Sequence, residues 1–147
     1  MTLVMFAMLL AACDHRTVYD RYQSTALAGW EKNDTLSFAI PPLKDAATYS
    51  AVLGVRTTDA YPFTAITLIV EQEIMPAHRL VTDTVCCNLT DEQGNILGEG
   101  ISYRQYQFDI CKLQLQEGDS LHTVVRHDMK REILPGVADV GIQLKKE

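Results

Sequence analysis

Aromatic residues are scarce in this chain, 7% of the total with a single tryptophan, and proline (5) and glycine (8) are few as well. No Pro/Gly/Ser-rich tract, internal repeat or low-complexity segment follows residue 30. The 147 residues therefore suit one compact domain. Long apolar runs are missing too. The longest, Leu3 to Ala12, spans ten residues, about half of the roughly 20 that a membrane-spanning helix needs. Positive charge is in deficit, with 13 Lys and Arg against 19 Asp and Glu and a net charge of −6. The basic residues are scattered rather than striped, so nothing resembles a phosphate-tracking groove and nucleic acid is excluded as a partner.

Constellations that would carry chemistry are equally thin. The histidines are His15, His78, His122 and His127, without a His-x-His pair, and no Cys-x-x-Cys occurs. Neither spacing favours a metal, so none is expected. Gly94, Gly98 and Gly100 precede no Lys-Ser/Thr and cradle no phosphate. Glu71 and Glu73 share one strand face, about 7 Å apart by the pleat spacing. Their polar neighbours Thr67 and Gln72 supply no apolar wall to tune an acid, so they read as a solvated face. The expectation is a non-catalytic protein without a cofactor.

The N-terminus is informative. An apolar run from Leu3 closes on Leu10-Ala11-Ala12-Cys13, small residues directly before a cysteine. That pattern resembles a bacterial lipobox. Residues 1–12 read as a signal peptide, although no Lys or Arg precedes Leu3, and Cys13 reads as the lipidated first residue of the mature chain. Each buried methylene is worth about 0.8 kcal/mol, so two or three acyl chains hold stably where one holds marginally. Asp14 to Leu27 is polar and lacks a sustained apolar period. Residues 13–33 are therefore assigned to a lipidated N-terminus and tether, and residues 34–147 to the folded domain.

From Asp34 onward the pattern is strand-like. Leu36, Phe38 and Ile40 alternate with polar residues before Pro41-Pro42, and Tyr49, Ala51, Leu53 and Val55 share a face. Ile66, Leu68, Val70 and Ile74 define a long half-buried strand. Val81, Val85, Cys87 and Leu89 point inward in the next, which ends in the turn Asp91 to Asn95. Tyr106, Phe108 and Ile110, then Ser120 to His127 and Ala138 to Lys145, complete the set. Seven or eight short strands with regular turn signals and no helical period predict an all-β, antiparallel β-sandwich, immunoglobulin-like or jelly-roll-like.

Within that frame several residues are candidates for function. Cys86 and Cys87 point to opposite strand faces. In an oxidising periplasm Cys87 and Cys111 are the candidate disulfide, with three unpaired thiols as the alternative. Trp30, after Gly29, and Tyr61, before Pro62, are candidate contacts for a partner protein or a glycan, the competing role for Trp30 being to cover one end of the core. Asp34-Thr35-Leu36, Asp83-Thr84-Val85 and Asp119-Ser120-Leu121 match an Asp-Ser/Thr-aliphatic tripeptide that some bacteria O-glycosylate, which makes Thr35, Thr84 and Ser120 candidate acceptors.

Taken together, Tyr19 and Tyr22, Gly29-Trp30, Asp34, Phe38, Tyr61-Pro62-Phe63, the Asp91 to Gly100 turn, His127-Asp128-Met129-Lys130 and the ending Leu134-Pro135-Gly136-Val137-Ala138-Asp139-Val140-Gly141-Ile142 resemble the gliding-motility-associated lipoproteins called GldH. The resemblance covers nearly the whole mature chain. It implies a cell-envelope lipoprotein, an adaptor or accessory component of the gliding-motility apparatus and its associated secretion machinery, with no enzymatic reaction. It further implies envelope proteins as partners and an outer-membrane anchor, with the inner membrane left open by Asp14. The absence of an acidic cluster after Asp14 favours a periplasmic orientation. The alternative from a different class is a carbohydrate-binding β-sandwich module of the envelope, which would need Trp30 or Tyr61 exposed beside a polar concave face.

Overall fold

The computed structural model describes residues 15–147. Ten strands follow one another: β1 (Thr17–Ser24), β2 (Trp30–Glu31), β3 (Leu36–Ile40), β4 (Ala47–Thr57), β5 (Ala65–Met75), β6 (Arg79–Asn88), β7 (Arg104–Leu115), β8 (Ser120–His127), β9 (Ile133–Leu134) and β10 (Val137–Lys146). Two four-stranded antiparallel sheets, ordered β1-β10-β4-β7 and β3-β8-β5-β6, face each other. With the short β2–β9 ribbon set aside, successive strands alternate between the two sheets except at the β5–β6 hairpin. This order is the double Greek key of a jelly roll, which decides between the two sandwich topologies that strand spacing leaves open.

Alternation builds the core. The inward residues Phe38, Leu53, Ile66, Leu68 and Cys87 are essentially sealed from solvent, while the residues between the inward positions of β3, β5 and β6 are half-buried or exposed. In β7 the inward positions shift from Tyr106 and Phe108 to Leu113 and Leu115. A bulge causes this. Ala51 pairs with Cys111 but the next residue, Val52, pairs with Asp109, so Ile110 is the extra residue and the period-2 pattern slips by one.

The tether assignment is corrected. Thr17 to Ser24 is not a linker but the edge strand β1, paired with β10 from Thr17↔Lys145 to Ser24↔Asp139. Asp34 is likewise not the domain boundary, because β2 already pairs with β9 through Trp30↔Leu134 and Glu31↔Ile133. The reason is side-chain cover. Tyr19 packs against the core, and the Tyr22 ring lies on the outer face of the sheet over Gly54 and Gly141, which pair with each other on β4 and β10. An aromatic ring over adjacent strand glycines restores the packing they lack. Residues 1–14, and with them the expected signal peptide and the candidate lipidation site Cys13, lie outside the described residues.

The connectivity gives the sandwich two distinct poles. One carries the start of β1, the loops β3–β4 and β7–β8, the β5–β6 hairpin and the end of β10. The other gathers the four remaining connections, residues 25–35, 58–64, 89–103 and 128–136.

Candidate functional site

The second pole brings together most of the motifs singled out in the sequence. Trp30 stands under the β2–β9 ribbon with its indole Nε1 donating to the Asp34 carbonyl at 2.8 Å. Its ring meets His127 edge-on, centroids 5.2 Å apart. The Met129 N–H donates to His127 Nδ1 at 3.3 Å, so the neutral ring carries its proton on Nε2 and donates it to the Trp30 carbonyl at 3.0 Å. Burial keeps the His127 pKa below the ordinary 6.5, outweighing the opposing pull of the Trp30 and Glu132 carbonyls. The Leu134-Pro135-Gly136 turn closes on Tyr61. Gly136 has φ +81°, a Cβ there would run into the Tyr61 backbone, and its carbonyl accepts from Thr58 N at 2.8 Å.

These contacts correct the candidate aromatic platform. Trp30 is completely buried and seals the pole from within. Tyr61 is half-buried, donates its hydroxyl to the Ala65 carbonyl at 2.7 Å and packs edge-on against Phe63. Trp30 is thus closed to a partner or a sugar, and Tyr61 is only partly exposed, so neither is the fully exposed platform that the module reading called for.

The neighbouring loop, residues 89–103, is ordered by its own hydrogen bonds. Asp91 accepts from the backbone of Gln93 at 2.9 Å and of Asn95 at 2.8 Å, which draws its carboxyl below the ordinary range. Leu97 N donates to the Leu89 carbonyl at 2.9 Å, and Glu99 and Gln105 exchange backbone bonds at 3.2 and 2.9 Å. Between this loop and β7 lies a cleft of about 780 Å³. Amide side chains of Asn88, Gln105 and Gln107 line it together with Glu99, Leu97 and the stacked rings of Tyr106 and Phe108. Sequence reading missed this cleft, because its walls come from the end of β6, the 89–103 loop and the start of β7 and meet where Gly98 lies against the Tyr106 ring.

The anticipated Cys87–Cys111 bridge is not formed; Cys86, Cys87 and Cys111 are all free thiols. The sandwich holds Cys87 and Cys111 at different heights. Cys111 Sγ accepts from Gln72 Nε2 at 3.4 Å and lies beside Asp83, four residues along β6 from Cys87, a separation of roughly 13 Å at the strand rise. Burial raises the Cys87 thiol to about 12 and that of Cys111 to about 11. The carboxylates Glu71 and Glu73 turn to separate partners, Arg126 at 3.9 Å and His78 at 2.9 Å. Among the candidate glycan acceptors, Thr35 and Thr84 are exposed and Ser120 is half-buried. Among the described residues no three His, Cys, Asp or Glu side chains cluster as a metal site would require, and no helix is long and apolar enough to cross a membrane.

Fold and pole together define a jelly-roll domain with one sealed, loop-built end. The chain belongs to the GldH lipoprotein family, whose model matches residues 17–144. It is 29% identical over 152 residues to the gliding motility lipoprotein GldH of Flavobacterium johnsoniae, covering 99% of this chain and 94% of that protein. The match begins at β1, in keeping with that strand being part of the domain. Among solved structures, a family GH115 4-O-methyl-α-glucuronidase shares 14% identity at a TM-score of 0.46, covering 92% of this chain and 18% of that one. A family 35 carbohydrate binding module from Clostridium thermocellum shares 17% at 0.37, covering 84% of this chain and 86% of that one. Likenesses of this strength do not bear on function.

Proposed function

We propose that this protein is a lipid-anchored, non-catalytic adaptor of the gliding-motility and associated secretion machinery, held by acyl chains on Cys13 at the outer membrane and facing the periplasm. The observation that carries the reading is family membership along the whole folded domain, residues 17–144. The geometry adds a constraint. Thr17, at the start of β1, lies four positions after Cys13, a reach of at most about 14 Å. A tether of the length first expected is therefore replaced by a short leash, and the anchored domain stands close to the bilayer. Positioning, rather than turnover, is the task these parts suit. The test is a strain lacking the gene, complemented with the wild-type chain or with Cys13→Ala secreted as a folded soluble protein. The reading expects surface spreading and envelope secretion to be restored by the first only; restoration by the soluble form would count against an anchored adaptor.

A further inference from the structure

The exposed apolar surface of this domain is distributed very unevenly. Among the described residues, the large apolar side chains that stand exposed lie toward the pole where the described chain begins only at Val18 and Leu80; the others crowd the opposite pole. The 89–103 loop supplies Ile96, Leu97, Ile101 and Tyr103, each more than half exposed, and Ile101 is 93% exposed. Folding normally buries such residues, because removing their surface from water is favourable. Here the loop's backbone bonds from Asp91 to Asn95, Leu97 to Leu89 and Glu99 to Gln105 hold them outward. The same stretch carries Asp91, Glu92 and Glu99 and no Lys or Arg from residue 89 to residue 103. Across the four connections of this pole Asp and Glu outnumber Lys and Arg eight to three, the basic residues being Lys32, Lys130 and Arg131. Apolar residues within such a net-acidic rim mark an interaction surface rather than an incomplete core.

We infer that this pole is the docking surface for a protein partner that presents apolar side chains ringed by Lys or Arg. Charge complementarity selects that occupant. Acidic Glu92 and Glu99 repel an anionic headgroup layer and attract a basic rim, which steers encounter and fixes register. The adjoining cleft between Leu97, Gly100 and the Tyr106–Phe108 stack gives one apolar anchor of the partner a place to insert. Orientation agrees, and this clause alone rests on the proposed anchor: with Cys13 leashed to Thr17, the ten residues of β10 set the apolar pole about 30 Å from the membrane end, out of reach of the bilayer and open to a protein.

The test is photo-crosslinking in intact cells with the full-length chain, p-benzoylphenylalanine standing in place of Leu97 or Ile101 and, at the other pole, of Leu80 or Lys112. The inference expects one protein adduct of common mass at positions 97 and 101 and none at 80 and 112. Its cross-linked peptide, read by mass spectrometry, holds Lys or Arg beside apolar residues. Glu92→Lys combined with Glu99→Lys lowers its yield about tenfold. Lipid adducts at 97 and 101, no adduct there, equal adducts at both poles, or a yield indifferent to the charge reversal each overturn it. Fractionation of the same cells reports the anchor separately. A soluble chain that still forms the 97 and 101 adducts contradicts lipidation and leaves the docking surface standing.

Discussion

Arg56 holds its guanidinium carbon 3.8 Å from the centre of the Tyr22 ring. The same ring closes over Gly141, where an added Cβ would meet it at 2.8 Å, and over Gly54 on the next strand. One side chain from β1 thus spans β10 and β4, and a cation–π contact fixes it there. Tyr22→Ala should lower unfolding free energy by about 2 kcal/mol, roughly half the cost of truncating a fully buried aromatic, whereas Tyr22→Phe keeps the ring and most of the stability. Urea titration of the variants checks this, and Gly141→Ala should behave like the truncation because the ring must move.

Removing residues 14–27 takes away β1 and with it seven residue pairs to β10. The expected outcome is loss of cooperative unfolding and aggregation on purification, since β10 becomes an open edge. A shortened but well-folded domain, seen as an unchanged circular dichroism spectrum and melting temperature, would return this segment to the role of a linker.

His127 makes stability depend on pH. Its folded pKa lies below 6.5 because burial disfavours the charged ring, while the unfolded chain takes up a proton near 6.5. Above that value the neutral ring costs nothing; as pH falls through it the unfolded state binds the extra proton and folding is penalised. Denaturant unfolding should show lower stability at about pH 5.5 than at about pH 7.5, with the gap narrowed in His127→Gln.

Thiol chemistry should follow burial. Cys86 is exposed on β6, whereas Cys87 is buried and Cys111 accepts a bond from Gln72. Mild alkylation of the folded protein should modify Cys86 and spare Cys87 and Cys111 until denaturant is added, as peptide mapping will report. A Cys87–Cys111 linked peptide from unreduced protein would reinstate the bridge that the sandwich holds apart.

Legibility in the sequence tracked how strictly each strand alternates. Leu36, Phe38 and Ile40, or Ile66, Leu68, Val70 and Ile74, announce their faces because one side meets the core and the other water. β1 does not, because its residues are at best half-buried and Tyr22 spends its apolar surface on the outer face of the sheet. In β7 the bulge at Ile110 moves the inward face between Phe108 and Leu113, and no period survives that slip. Trp30 follows a glycine of φ +119° that turns the chain back over the core, so of the two roles left open for it, surface contact or cover for one end of the core, the structure selects the second. The candidate docking pole depends on which loops share an end of the sandwich, which only the strand order of two sheets decides.

In the function proposed above, acyl chains on Cys13 anchor this jelly roll beside a membrane. Metabolic labelling with palmitate, followed by high-salt washing of the membrane fraction, tests it most directly in wild type and in Cys13→Ala. The expected outcome is labelled, salt-resistant membrane protein in the first case and unlabelled, soluble protein in the second. A Cys13→Ala chain that stays with the washed membranes would contradict it.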